Sequence, residues 1–273
     1  MRTKPFKSIG FNLLAIVISV VIFIPIYIII VNSLKTKTDA ATMGIGLPTS
    51  LHFENFSTVI EKGKLGQSFL NSMLYSVGST IIGTTLAAMG AFVLSRNRTR
   101  LNRFLYLFLI MGIALPTNYV TLTQVMQVTH LINTQLGIII LHAAGQIPFG
   151  IFLIYGFVQN IPRELDEAAI VDGCGPWRLF FVVIMPLMMP VLITLSVLSF
   201  LGAWSDFIAP LYFLNNSDLW PMTLAVYNFF GQFQSDWSLV SADILLTILP
   251  VLVVYLLAQR FILSGLTSGA VKG

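Results

Sequence analysis

Six predominantly apolar segments, each of about 20 residues or more, constrain the fold of this chain more than any other feature. A helix of about 20 apolar residues is long enough to cross the hydrocarbon core of a bilayer. Hydrophobic residues make up 56% of the 273 positions and charged residues only 10%, which is too little charge to cover the surface of a water-soluble globule. The sequence therefore predicts an all-α integral membrane protein with six transmembrane helices, at residues 11–31, 69–94, 104–126, 136–158, 184–214 and 242–262.

The basic residues cluster in alternate connections between these segments and so predict the orientation of the chain. Lys and Arg are retained on the cytoplasmic side of short loops. With a cytoplasmic N-terminus, the inner segments contain Arg2, Lys4, Lys7, Arg96, Arg98, Arg100, Arg103, Arg163, Arg178, Arg260 and Lys272, and the outer ones only Lys35, Lys37, Lys62 and Lys64. Both termini are predicted to be cytoplasmic, with the first apolar segment retained as an anchor. This asymmetry accounts for the net charge of +4, so membrane lipid is an expected partner and nucleic acid is not.

Residues 161–190 are the one long polar interruption among the apolar segments. Pro162 suits the start of a helix, and acidic residues follow where the helix dipole favours negative charge. Gly173 suits a left-handed helix end, and Gly175-Pro176 suits the start of a second helix. The pattern predicts an L-shaped elbow outside the bilayer, with one narrow face formed by Leu165, Ala168, Ala169 and Asp172.

In this elbow, Glu167-Ala168-Ala169 is followed by Gly173 and then by Val183-x-Met185-Pro186. This order of residues resembles the EAA loop of ABC-importer permeases, whose pattern ends in Ile-x-Leu-Pro. In that family the loop is a coupling helix that docks into a cleft on a separate ATPase subunit. The resemblance implies an ATPase-coupling site at Leu165, Glu167, Ala168, Ala169, Asp172, Gly173 and Pro186. An amphipathic loop resting on lipid headgroups is the alternative.

Polar side chains within the predicted membrane segments are candidates for the wall of a translocation path, because they usually face protein or water rather than lipid. The candidates are Asn118, Thr121, Gln124, Gln146, Trp204 and Asp206. Asp206 is equally compatible with a hydrogen-bonded anchor between helices. His142 has no second histidine at helical spacing, so we expect a packing role and no metal site. Small residues every four positions, from Ser79 to Ala91, predict close helix packing.

Two further segments resemble carbohydrate permeases of the MalG type. The aromatic-rich outer loop at residues 215–241 corresponds to a loop that reaches toward an external sugar-binding protein, which implies contacts at Tyr227, Gly231 and Gln232. The C-terminal sequence FILSGLTSGAVKG resembles a tail that inserts between ATPase subunits, which implies contacts at Gly269, Val271 and Lys272. Aromatic anchoring at the membrane interface and a basic stub are the respective alternatives.

The resemblance implies a six-helix type I ABC-importer permease with three parts. These are residues 1–68, with the first helix and outer loop; a core at 69–262 that includes the coupling loop at 161–186; and a cytoplasmic tail at 263–273. We expect half of the path of an ATP-driven sugar importer, with oligosaccharide as the substrate, in a bacterial cytoplasmic membrane. The implied partners are a second permease, an ATPase dimer and an extracellular sugar-binding protein.

No phosphate-binding G-x-x-x-x-G-K-[ST] sequence and no hydrolase motif occurs, so we expect neither catalysis nor a cofactor on this chain. The implied ATPase binds ATP and Mg. An ion-gradient-driven secondary transporter is the alternative function, although such proteins usually contain several membrane carboxylates. A structural anchor for a cytoplasmic complex is a third hypothesis.

Overall fold

The computed structural model describes residues 5–97, 99–230 and 235–270, with side chains from 11 to 260 within those ranges. This part of the chain is helical apart from its connections and one isolated antiparallel bridge between Phe230 and Ser235. The helices are α1 Pro5–Ser33, α2 Lys37–Ala40, α3 Glu54–Lys62, α4 Leu65–Arg96, α5 Arg100–Met111, α6 Tyr119–Val128, α7 Gln135–Val158, α8 Glu164–Val171, α9 Pro176–Leu187, α10 Met189–Ser205, α11 Ile208–Phe213, α12 Met222–Ala225 and α13 Trp237–Ala270.

Four of the six predicted membrane segments form single helices that are long and apolar enough to cross a bilayer. They lie within α1, α4, α7 and α13. Helices α9 and α10 pass the same length and hydropathy test only as a pair, and they are bent by 81° relative to each other. The described residues therefore contain four candidate spans, or five with the bent pair, and the prediction of six is not confirmed.

The prediction of one continuous helix at residues 104–126 is wrong. Helix α5 ends at Met111 and α6 begins at Tyr119. Between them, Pro116 lacks a backbone N–H and disfavours helical geometry at the preceding residue. Asn118 then starts the second helix, because its side-chain oxygen accepts hydrogen bonds from the backbone N–H groups of Val120 and Thr121, both at 3.1 Å.

The predicted helix at 184–214 is also interrupted. The bend between α9 and α10 lies at Met188, which is fully buried. Helix α10 ends at Ser205, and Asp206 adopts an extended conformation (φ −72°, ψ 126°) before α11 begins. The Asp206 side chain caps α11. Asp206 therefore lies at a helix break rather than inside a membrane helix.

The chain divides into two compact units, of which the first comprises Met1–Gly66 and Ala225–Leu249. Its described outer loop is ordered around buried polar groups. The Lys35 ammonium donates to the Gly44 carbonyl at 2.8 Å and to Asn32 Oδ1 at 3.2 Å. Asn55 Nδ2 donates to the carbonyl oxygens of Ser33 and Lys35, which fixes α3 to the end of α1. These bonds compensate for burying a charged lysine.

The second unit comprises Gln67–Leu224 and Pro250–Gly273. Its largest described core joins α4, α7, α8, α9 and α10. Ala87 and Ala91 are fully buried on α4, as the spacing of small residues predicted. A Cβ atom on Gly150 would lie 2.7 Å from the Ala87 methyl group and 3.0 Å from Leu195, so α7 approaches α4 and α10 very closely. Close helix approach in this core therefore depends on small side chains.

Helix α13 is longer than the predicted segment at 242–262. Its backbone remains helical to Ala270. Gly269 is part of this helix, whereas Val271 and Lys272 lie outside the described residues.

Candidate functional site

The elbow has the local structure that its sequence predicts. Helix α8 carries Glu164, Asp166 and Glu167 in its first turn, where the helix dipole favours acidic side chains. Gly173 has a φ of +78°, and two backbone hydrogen bonds close the helix end, from Gly173 N to Ile170 O at 3.0 Å and from Cys174 N to Ala169 O at 2.9 Å. This is a Schellman motif, in which glycine tolerates the left-handed conformation. Pro176 then begins α9.

The predicted narrow face of α8 is divided between the protein interior and the surface. Ala169 is only 7% exposed and packs in the main core, and Cys174 packs against the same cluster. By contrast, Leu165, Glu167, Ala168, Asp172, Gly173 and Pro186 are exposed. Ala169 therefore fixes α8 to the membrane helices, while the other predicted coupling residues are accessible to a partner.

The exposed surface of the elbow also contains three apolar side chains that were not among the predicted coupling residues. They are Ile170, Val171 and Trp177, and Val171 is 86% exposed. Exposed apolar side chains that lie together on a surface are typical of a protein or membrane contact. Their signal in the sequence was the presence of apolar residues inside an otherwise polar segment.

A two-point ion pair connects the elbow to the end of α4. Arg96 Nε lies 2.7 Å from Asp166 Oδ2, and Arg96 NH2 donates to Asp166 Oδ1 at 3.1 Å. Arg96 NH1 also donates to the Ile161 carbonyl at 3.1 Å, and Arg163 NH2 donates to the Arg96 carbonyl at 3.0 Å. One charge-assisted hydrogen bond, one close ionic contact and two bonds to backbone carbonyls therefore hold α8 and the segment before it against the end of α4.

A cavity of about 510 Å³ lies among the membrane helices of the same unit. Its polar lining includes Thr117, Tyr119, His142, Gln146, Ser199 and Asp206. Leu198, Ser199 and Gly202 of α10 form part of the wall, so the helix that begins at the bend beside the elbow also lines the cavity. The chain thus runs directly from the exposed elbow, through α9 and α10, to a mainly apolar cavity whose wall contains these polar side chains.

Asp206 has two separate sets of contacts at this cavity. Its Oδ1 accepts hydrogen bonds from the backbone N–H groups of Ile208 at 2.9 Å and Ala209 at 3.4 Å, which caps α11. Its Oδ2 lies 3.7 Å from His142 Nε2. Within the described chain, His142 Nε2 and Gln146 Oε1 are buried without a hydrogen-bond partner. Since buried polar atoms normally have partners, His142 Nε2, beside Asp206 in the cavity wall, is suited to a water or a polar ligand. Gln146 Oε1 instead faces α4, where a Cβ atom added to Gly83 would lie 2.9 Å from it.

The other candidate path residues lie elsewhere. Trp204 is 1% exposed and packs with its ring centroid 5.9 Å from Phe69 and 5.7 Å from Phe200. The side chains of Asn118, Thr121 and Gln124 are exposed and do not line this cavity. The structure therefore brings together Gln146 and Asp206, and it adds Thr117, Tyr119, His142 and Ser199. The functional roles of all these residues remain predictions.

The predicted outer contact is described only in part. Tyr227 is 42% exposed, and its ring centroid lies 5.5 Å from that of Phe230. Gly231 and Gln232 lie outside the described residues. The proposed contact with a binding protein therefore remains a prediction.

The fold is similar to that of a chain in the crystal structure of a bacterial ABC transporter involved in the import of the acidic polysaccharide alginate. The TM-score is 0.81, the match covers 95% of this chain and 98% of that chain, and the sequence identity is 20%. The described chain therefore has the same fold as that transporter chain.

Sequence comparison defines the family. The model for the binding-protein-dependent transport system inner membrane component matches residues 79–263. The chain is 34% identical to the melibiose/raffinose/stachyose import permease MelC of Bacillus subtilis, over 100% of this chain and 99% of the relative. It is 33% identical to AmyC of Thermoanaerobacterium thermosulfurigenes, a probable permease for starch degradation products, over the full length of both. NgcG of Streptomyces coelicolor, from a diacetylchitobiose uptake system, is 31% identical over 98% of this chain and 90% of the relative.

The chain belongs to the family of binding-protein-dependent transport system inner membrane components. The family and these relatives are transport permeases, which confirms the predicted resemblance and the prediction that the chain is not an enzyme. A multi-pass membrane location follows from this family and from the apolar helices.

Proposed function

We propose that this chain is one permease subunit of an ATP-driven carbohydrate importer that accepts oligosaccharides. Relatives that match the whole chain are permeases for oligosaccharides or for starch degradation products. The observation that carries the proposal is that one continuous segment of the chain leads from the exposed elbow, across the bend at Met188, to the wall of the cavity. Such a connection transmits a displacement at the surface to the wall of a cavity.

The cavity is suited to a hydroxyl-rich solute. Asp206 Oδ2 accepts hydrogen bonds, the His142 ring nitrogen accepts or donates according to its tautomer, and Thr117 and Ser199 add hydroxyl groups to the lining. Aromatic walls at Tyr119 and Phe149 add apolar surface of the kind that packs against sugar rings. A second permease supplies the opposite wall, and the extracellular sugar-binding protein delivers the solute.

The elbow docks on the ATPase in this proposal. Its exposed apolar residues supply the buried part of the contact, and Glu167 and Asp172 supply the polar rim. Because Ala169 and the Arg96–Asp166 pair fix α8 to the core, closure of two ATPase subunits moves the membrane helices as rigid bodies. The cavity then alternates between the two sides of a bacterial cytoplasmic membrane, with both chain termini inside. ATP and Mg remain on the ATPase throughout.

Uptake in proteoliposomes tests this proposal. The chain is reconstituted with its second permease and ATPase, and labelled raffinose, melibiose and maltotriose are offered together with the binding protein. We expect accumulation only when ATP is supplied on the ATPase side. Accumulation driven by a proton or sodium gradient without ATP would instead identify the secondary-transporter alternative.

A further inference from the structure

A second cavity of about 510 Å³ lies in the same compact unit and shares no lining residue with the first. It is formed where the end of α4, the start of α5 and the last turns of α7 meet. Its lining residues are Leu94, Asn97, Thr99, Arg100, Arg103, Tyr106, Leu107 and Tyr155. None of the functions proposed above uses this cavity.

The cavity has a cationic end. Arg100 and Arg103 are three positions apart on α5 and so lie on one face of that helix. No acidic residue lines the cavity, and neither arginine forms an ion pair within the described part of the chain. Arg96 differs, because Asp166 neutralises it. Thr99 caps the start of α5, where the helix dipole adds further positive potential. The charge of this end selects an anion.

The opposite end of the cavity is apolar. Tyr106 and Tyr155 stack with their ring centroids 4.0 Å apart, and Leu94 and Leu107 complete the wall. Next to the cavity, an adjacent face of α5 is exposed and apolar and includes Phe104, Phe108 and Met111, each at least 60% exposed. An anion with a hydrocarbon chain matches both ends, because its charged group meets the arginines while its chain lies along α5.

The position of the cavity relative to the bilayer agrees with this chemistry. The cluster of basic residues from Arg96 to Arg103 is predicted to lie on the cytoplasmic side, at the level where an apolar helix face begins. Anionic lipids attract arginines at that surface, and basic pockets between membrane helices bind their headgroups. A free phosphate would be bound by the arginines but would leave the apolar wall unused.

We propose that this cavity binds the headgroup phosphate of an anionic phospholipid through Arg100 and Arg103, with an acyl chain packed along α5. The bound lipid fills the space between the ends of α4, α5 and α7 at the cytoplasmic surface, beside the elbow that Arg96 holds.

Lipid binding to the purified membrane complex that contains this chain tests the proposal. Native mass spectrometry measures retention of dioleoylphosphatidylglycerol, with dioleoylphosphatidylcholine as the neutral lipid and inorganic phosphate as a competitor. We expect selective retention of phosphatidylglycerol, and about 5-fold weaker binding for Arg103→Gln and about 30-fold for Arg100→Gln/Arg103→Gln. Arg178→Gln, which removes one exposed arginine outside the cavity, should bind the lipid as the unchanged protein does.

Arg100→Lys/Arg103→Lys keeps both charges and should retain most of the binding, which separates a lost contact from a misfolded chain. Equal retention of the neutral lipid, unchanged binding in the double glutamine variant, or full displacement by millimolar phosphate would overturn the proposal. Release of the ATPase from the double glutamine variant at unchanged lipid binding would assign the arginines to a protein contact instead.

Discussion

Arg96 at the end of α4 and Asp166 on α8 form an ion pair, in which NH2 donates to Oδ1 at 3.1 Å and Nε lies 2.7 Å from Oδ2. The side chains are only 11% and 14% exposed. The pair connects an element that we propose to dock on an ATPase with a helix of the main core. Its burial distinguishes it from a surface ion pair of negligible effect, and in the proposed coupling it positions α8.

Asp166→Asn should therefore uncouple the importer. Removing one partner of a largely buried ion pair costs about 3 kcal/mol, because the remaining charge loses its compensation. We expect sugar uptake to fall at least 10-fold while the membrane core stays folded and ATP hydrolysis loses its dependence on the binding protein. Uptake and ATPase rates in proteoliposomes measure both effects.

The exchanged pair Arg96→Asp/Asp166→Arg provides the control for that variant. It restores opposite charges across the same gap and should recover part of the uptake that either single change removes. If Asp166→Asn transports and hydrolyses at normal rates, the ion pair has no role in coupling.

Gly173→Ala should weaken ATPase binding, whereas Gly175→Ala should not. Gly173 has a φ of +78°, which costs a residue with a Cβ about 1 to 2 kcal/mol, although no atom lies within 4 Å of the new methyl group. Gly175 has a φ of −70° and equally open surroundings. Co-purification with the ATPase should show about 5-fold to 30-fold lower affinity for Gly173→Ala alone. Equal affinities in the two variants would mean that the elbow conformation does not determine docking.

Much of the elbow could be predicted from sequence, because its determinants are local. A proline, a cluster of acidic residues and a glycine act within one or two helical turns, and the structure places α8, the left-handed residue and α9 where they indicate. The breaks at residues 112–118 and at Asp206 were not predicted, since hydropathy measures whether a segment is apolar and not whether its helix is continuous.

The contacts that assemble the site could not be derived from spacing. Asp166 is 70 positions from Arg96, and His142 meets Asp206 only because α7 and α10 pack together. The sequence also left two roles open for Asp206, a wall of the translocation path or a structural anchor. The structure is compatible with both roles, because Oδ1 caps α11 while Oδ2 faces His142.

Asp206→Asn and Asp206→Ala should separate these two roles. Asparagine caps a helix about as well as aspartate, so Asp206→Asn should leave the stability unchanged while it removes the charge that faces His142. Alanine also removes the cap and should cost about 1 kcal/mol. We expect both variants to raise the KM for sugar uptake, and only the alanine variant to unfold at a lower temperature. Normal uptake by Asp206→Asn would mean that Asp206 has only a structural role, as the cap of α11.

Gly150→Ala should destabilise the membrane core, whereas Gly156→Ala on the same helix should not. A methyl group on Gly150 would lie 2.7 Å from the Ala87 methyl group and 3.0 Å from Leu195, while one on Gly156 meets no atom within 4 Å. Overpacking costs about 1 to 3 kcal/mol, and an unobstructed Gly→Ala change in a helix gains about 0.5 to 1 kcal/mol. The two variants should therefore shift the thermal unfolding midpoint in detergent in opposite directions. A Gly150→Ala protein as stable as Gly156→Ala would show that α4, α7 and α10 separate readily, and that the core does not move as the rigid body that coupling requires.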